Sequence, residues 1–73
     1  MHIKDTVDTR GLSCPQPVML VNQVIRNNNS GTIEVLADSA TAMSNICRRV
    51  NNCGWTTTVE KLPDQCYRIL LQK

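Results

Sequence analysis

Over 73 residues the hydrophobic period of this chain changes from two to between three and four, and back again, twice in succession. That alternation limits the folds open to it. Residues Ile3 to Thr9 read as a first strand, with Ile3, Asp5 and Val7 alternating against Lys4, Thr6 and Asp8. From Pro15 to about Asn28, Val18, Leu20, Val21, Val24 and Ile25 recur at helical spacing, and the run Asn27-Asn28-Asn29-Ser30-Gly31 ends the helix. Thr32 to Ala37 is a second strand. Asp38-Ser39 then offers a side-chain oxygen as a cap for a second helix, which carries Met43, Ile46, Cys47 and Val50 on one face, reaches about Asn52 and stops at Gly54. Trp55 to Leu62 and Tyr67 to Leu71 are two further strands joined by a turn at Pro63-Asp64.

The order is therefore β-α-β-α-β-β. Strand-helix-strand crossovers are right-handed and join parallel strands, so both helices are expected on one face of a four-stranded mixed α/β sheet, with the last strand antiparallel. Residues 1–73 are expected to form one domain, small enough to sit near the lower limit for a chain stabilised by its own core. Apolar residues make up 41% and aromatics only 3%, with no phenylalanine, so that core must be aliphatic.

Charge and composition exclude several function classes. The net charge is +2 with no basic run, and Trp55 and Tyr67 are too few for a base-stacking platform, so direct nucleic-acid binding is not expected. No apolar run is long enough to span a membrane and no apolar leader is evident, which makes the cytoplasm, with reduced cysteines, the expected location. The cysteines at 14, 47, 53 and 66 form no C-x-x-C pair, and the single histidine is His2. These spacings support neither a structural zinc site nor a thioredoxin-like pair, and no cofactor is expected.

Chemistry concentrates at Cys14-Pro15-Gln16-Pro17, between the first strand and the first helix. A thiol just ahead of a helix start meets positive partial charge and unpaired N–H groups, which favour its thiolate. Proline suits a first helical turn, so Cys14 is the N-cap if Pro15 opens the helix; Pro17 in turn pushes Gln16 from helical dihedrals, so the helix alternatively opens at Pro17. A helix end contributes ~0.3–1 kcal/mol, up to ~2 when partly buried, so the activation is modest.

Around Cys14, Gly11 breaks the strand, and Arg10 reads either as a charge turned toward the sulfur or, more simply, as a solvated loop charge. Asp8 reads as a cap for loop N–H groups, as an orienting partner for Arg10, or as a proton acceptor, the first being the simplest. Gln16 and Met19 point away from the core stripe, beside the cysteine, where an exposed methionine suits a docking surface. Cys47 falls on the apolar stripe and reads as core, while Cys53 stands at a carbonyl-rich helix end, far from Cys14. Cys66 opens the last strand at the Cys14 end of the sheet, so it reads as a strand residue or, with less weight, as a resolving thiol.

The segment from Asp8 to Met19, with an acidic residue, the Gly11-Leu12 pair and Cys14-Pro15-Gln16-Pro17 opening a helix, resembles the TusA/SirA-like family of small sulfur-carrier proteins. Length and element order are also similar. The resemblance implies a two-layer α/β sandwich and a sulfurtransferase function without metal or cofactor. Cys14 would accept a persulfide sulfur from a donor such as a cysteine desulfurase or rhodanese and relay it to an acceptor protein, with Asp8, Arg10, Gly11, Pro15 and Pro17 as supporting residues. The stretch Ala37 to Ala42, with Asn45 and Arg48-Arg49, looks like the YedF-type branch, linked by name to selenium metabolism. Two other readings stand beside it: a non-catalytic regulatory or interaction module, and a thiol-disulfide function through Cys14 and Cys66.

Overall fold

The computed structural model describes residues 5–12, 16–28 and 30–73. Its elements are β1 (Asp5–Asp8), α1 (Gln16–Arg26), β2 (Thr32–Ala37), α2 (Ala40–Asn52), β3 (Thr56–Lys61) and β4 (Tyr67–Gln72), with a 3-10 turn at Pro63–Gln65. The order is the expected β-α-β-α-β-β. In space the strands run β1-β2-β4-β3. β1 and β2 are parallel, with Val7 beside Val35, while β4 is antiparallel to both of its neighbours.

The last strand thus lies inside the sheet, and its composition shows why. β4 carries Ile69 and Leu71, both with no exposed surface, whereas β3 is threonine-rich, ends in Glu60-Lys61 and is mostly exposed. An edge position suits a polar strand with charges, and an interior position suits the apolar one. On the face away from the helices, Arg68 of β4 bridges Glu34 of β2 and Glu60 of β3, so three strands are tied by one guanidinium.

Val7, Ile33, Val35, Ala37, Ile69 and Leu71 share the other face and meet both helices in one core. α1 contributes Pro17, Val21 and Ile25, an i, i+4, i+8 stripe, with Val18, Leu20 and Val24 half-buried at its sides. α2 contributes Ala42, Ile46 and Val50, so the face expected around Met43, Ile46, Cys47 and Val50 is centred on Ile46, with Met43 and Cys47 at its margin. The core is aliphatic apart from Trp55. Trp55 lies just before β3 rather than inside it: its N–H donates to Val50 O at 3.0 Å, closing the end of α2, where Gly54 takes a φ of +91°. Of the expected first strand, Asp5 to Asp8 is seen; Ile3 and Lys4 fall outside the described residues.

The start of α2 is capped as its sequence indicates. Ser39 is extended (φ −151°, ψ 152°) and its Oγ accepts from the Ala42 N–H at 3.1 Å. Ser39→Ala removes that acceptor and should lower stability by about 1 kcal/mol, or roughly 4–8 °C in the thermal midpoint. An unchanged midpoint in a circular-dichroism melt would show that the cap contributes nothing here.

Candidate functional site

Because β1 and β2 are parallel and β4 is antiparallel, one end of the sheet gathers the C-terminal ends of β1, β2 and β3, the start of β4 and the N-termini of both helices. The segment Thr9 to Leu12, which leads from β1 toward Cys14, is fastened there at three points. Thr9 is buried, and both its N–H and its hydroxyl donate to Leu36 O, at 2.9 and 2.6 Å. Leu12 N–H then donates back to Thr9 O at 3.3 Å, closing a turn. The turn needs Gly11 at φ +82°, a backbone state that L side chains rarely adopt, although the space beside its Cα is open. Gly11 N–H donates in turn to Asp38 Oδ2 at 2.7 Å, which ties the loop to the residue just ahead of the α2 cap.

Asp8 and Arg10 form the third fastening. Asp8 Oδ1 accepts from both the backbone N–H and Nε of Arg10, at 3.0 and 2.9 Å, and Oδ2 accepts from Nη2 at 2.8 Å. Asp8 therefore caps a loop N–H, as its sequence position suggests. Arg10 is not the free solvated charge that its simplest reading supposed; it is held in a bidentate pair. The hydrogen bonds from Arg10 pull the Asp8 carboxyl down to about 2, and the carboxylate raises the guanidinium above its usual range.

This pairing has a signed consequence. A carboxyl lowered on folding adds stability above its ordinary value near 3.9, and loses it as pH falls toward about 2. Asp8→Asn should therefore melt below the wild type at about pH 6, by a small amount because both groups are half-exposed. The difference should shrink as pH falls below about 4 and vanish only below about 2. Equal midpoints at both pH values would mean that the pair contributes nothing.

Ser13, Cys14 and Pro15 lie outside the described residues, so the expected thiolate at Cys14 and the role of Pro15 fall there. The helix is described from Gln16, with Pro17 in its first turn and fully buried. Gln16 and Met19 face outward as expected, Met19 with 64% of its surface exposed. With Leu12, Leu20, Asn22, Gln23 and Arg26 they line a shallow groove of about 550 Å³ along α1.

The other thiols divide by position. Cys47 is half-buried against the core, and burial pushes its thiol up. Cys53 is exposed at the C-terminal end of α2, on the far side of the domain from the α1 start. Cys66, immediately before β4, is half-buried, and its Sγ lies 3.7 Å from Asp64 O. Cys66 and Arg10 come to the same end of the sheet, where Cys66 adds a little, after Asp8, to the raising of the guanidinium. Sequence reasoning placed Cys66 at this end but missed the anchoring by Thr9 and Asp38, which depends on which strand ends meet. Among the described residues, no group of three or more His, Cys, Asp or Glu side chains is placed to hold a metal ion, and no helix is long and apolar enough to cross a membrane.

The two-layer α/β sandwich is shared with a solved SirA-like protein. The crystal structure of a SirA-like protein from Desulfitobacterium hafniense superposes with a TM-score of 0.86, covering 93% of this chain and 95% of that one at 18% identity. The family model described as Sulfurtransferase TusA matches residues 5–73, and the chain belongs to that family, whose members are sulfur carriers that work with other proteins.

Proposed function

We propose that the protein is a persulfide sulfur carrier and that Cys14 is the residue that carries the sulfur. The observation that supports this most directly is the family match over residues 5–73 together with Cys14-Pro15-Gln16-Pro17 at the head of α1. In the first step the Cys14 thiolate attacks the outer sulfur of a donor persulfide. A bond from Cys14 Sγ to that sulfur forms, the donor S–S bond breaks, and the donor leaves as its thiolate. In the second step an acceptor thiolate attacks the same outer sulfur, and Cys14 leaves as thiolate. Neither step changes the overall oxidation level, and neither needs a cofactor.

The supporting residues act on the loop. Asp8 clamps Arg10, Gly11 is held by Asp38, and Pro17 packs the first turn of α1 into the core, so the segment that carries Cys14 leaves rigid anchors on both sides. A shallow groove with an exposed methionine suits a protein surface rather than an enclosed small molecule. Donors of the cysteine desulfurase or rhodanese type and a thiol-bearing acceptor protein are the partners this chemistry requires, in a cytoplasmic setting where thiols stay reduced.

Incubation with a cysteine desulfurase and cysteine should add the mass of one sulfur atom to the protein, located on the tryptic peptide spanning 11–26. An adduct absent from that peptide would remove Cys14 from this role.

A further inference from the structure

The charges of this chain are sorted between its two layers. All six carboxylates, Asp5, Asp8, Glu34, Asp38, Glu60 and Asp64, lie on strands or on the loops that join elements, and neither helix carries one. The helices carry three arginines, Arg26 of α1 and Arg48 and Arg49 of α2, all exposed. Helix stability alone does not ask for this. An arginine in a last helical turn complements the helix dipole, and Arg26 and Arg49 stand there, but a carboxylate in a first turn would do the same and both helices lack one. Nor do the strand carboxylates neutralise the layer. The ion pairs among the described residues join Arg10 to Asp8, and Arg68 to Glu34 and Glu60, and none involves a helix arginine.

This unbalanced charge borders the apolar groove along α1. Arg49 Nε donates to Asn22 Oδ1 at 3.2 Å, which brings a guanidinium of α2 against the groove wall, and Arg26, one helical turn on from Asn22, lines the same groove. Toward the Thr9–Leu12 loop the lining is apolar: Leu12 and Met19 are two of the three large hydrophobic side chains exposed among the described residues, and Leu20 is half-buried beside them. The 11 residues of α1 spread these two ends over about 16 Å.

We propose that this face of the helix layer docks an acidic segment of a partner protein, with an apolar side chain seated on Leu12 and Met19 and carboxylates at Arg26, Arg48 and Arg49. The inference rests on the proposed function only for the partner's being a sulfur donor or acceptor. Charge complementarity selects the occupant. Three guanidiniums with no carboxylate among them attract acidic surfaces and repel basic ones, and arginine pairs with carboxylates through two parallel hydrogen bonds. The apolar end selects a polypeptide over a nucleic acid, because it takes an aliphatic anchor and neither helix carries an aromatic side chain on which a base could stack. A second copy of this chain is a poor match, since its helix layer is equally basic and its Asp8, Glu34 and Glu60 are engaged by its own arginines.

The test follows the amide NMR signals of the isotope-labelled full chain at low salt. It is titrated with a glutamate-rich peptide carrying a single leucine, with the same peptide in which lysine replaces glutamate, and with a duplex oligonucleotide. The glutamate peptide should shift Leu12, Met19, Asn22, Gln23, Arg26 and Arg49 and leave β3 unmoved, and its binding should weaken as salt rises. The combined variant Arg26→Gln, Arg48→Gln, Arg49→Gln should bind it about fivefold or more weakly, and Met19→Ala several-fold more weakly. All four side chains are exposed and lie outside the core, and the same spectra show that the variants are folded. No shift with the glutamate peptide, equal binding of the lysine peptide, or unchanged affinity in the triple variant would overturn the inference. So would tighter binding of the oligonucleotide to these residues, which would make the face a nucleic-acid site, or shifts there with protein concentration alone, which would make the occupant a second copy. The titration uses no sulfur, so its failure leaves Cys14 as the proposed carrier. Sulfur missing from the 11–26 peptide would overturn the proposed function and leave the docking face in place, without its partner's role as donor or acceptor.

Discussion

Replacing Ile46 by alanine should lower the thermal unfolding midpoint by roughly 10–30 °C. Ile46 is the centre of the buried face of α2 and has no exposed surface, and it sits in the one core that both helices share with the sheet. Ile→Ala at such a site typically costs ~2–5 kcal/mol, from lost transfer free energy and from the cavity left behind. Each kcal/mol corresponds to about 4–8 °C in a domain of this size, and the total stability of such a domain is itself only about 5–15 kcal/mol. Ile46→Val removes one methylene and should cost only ~0.5–1.5 kcal/mol, which separates cavity formation from a general intolerance of change at this site. A melt in which Ile46→Ala falls by less than Ile46→Val would contradict the packing described.

The second large effect is chemical. Cys14→Ser should reduce sulfur acceptance from a persulfide donor to background, because a hydroxyl at neutral pH has neither the anionic fraction nor the nucleophilicity of a thiol. Cys53→Ser should remain within about twofold of the wild type, since that thiol is at the opposite end of α2. Cys47→Ser should also accept sulfur normally and differ mainly in stability, because its thiol is partly buried and packs against the core. In the wild type the rate of acceptance should rise with pH as the thiolate fraction grows. A Cys14→Ser protein that still fulfilled the biological role would favour a regulatory or interaction module over a carrier.

Features set by neighbours in the chain were legible in advance. β2 runs from Thr32 to Ala37 as its β-branched pattern indicated, and Ser39 caps α2 because a side-chain oxygen needs to reach only three residues along. The antiparallel hairpin followed from its turn. The lateral strand order is different in kind, since it depends on whether β3 or β4 buries more apolar surface against α2, a competition between segments rather than a property of either. At the site, Asp8 was recognisable both as a loop acceptor and as a partner for Arg10, but that it fills both roles at once depends on a side-chain direction that spacing does not encode. That Arg10 and Cys66 share one end of the sheet needs the end of β1 and the start of β4 to converge, across more than 50 residues of sequence.

The inner position of β4 also bears on how the molecule comes into being. Thr32 of β2 pairs with Gln72, and Gly31 and Lys73 exchange backbone hydrogen bonds, so the sheet is joined by its most distant partners in sequence. Until β4 has been synthesised, β2 has a bare edge and the floor beneath the Thr9–Leu12 loop, made by Leu36 and Asp38, has no support from the next strand. A nascent chain halted before Ile69 would offer an unpaired, β-branched strand to its neighbours, the kind of edge that aggregates. The Thr9–Leu12 loop thus gains its full foundation only once the last strand is in place.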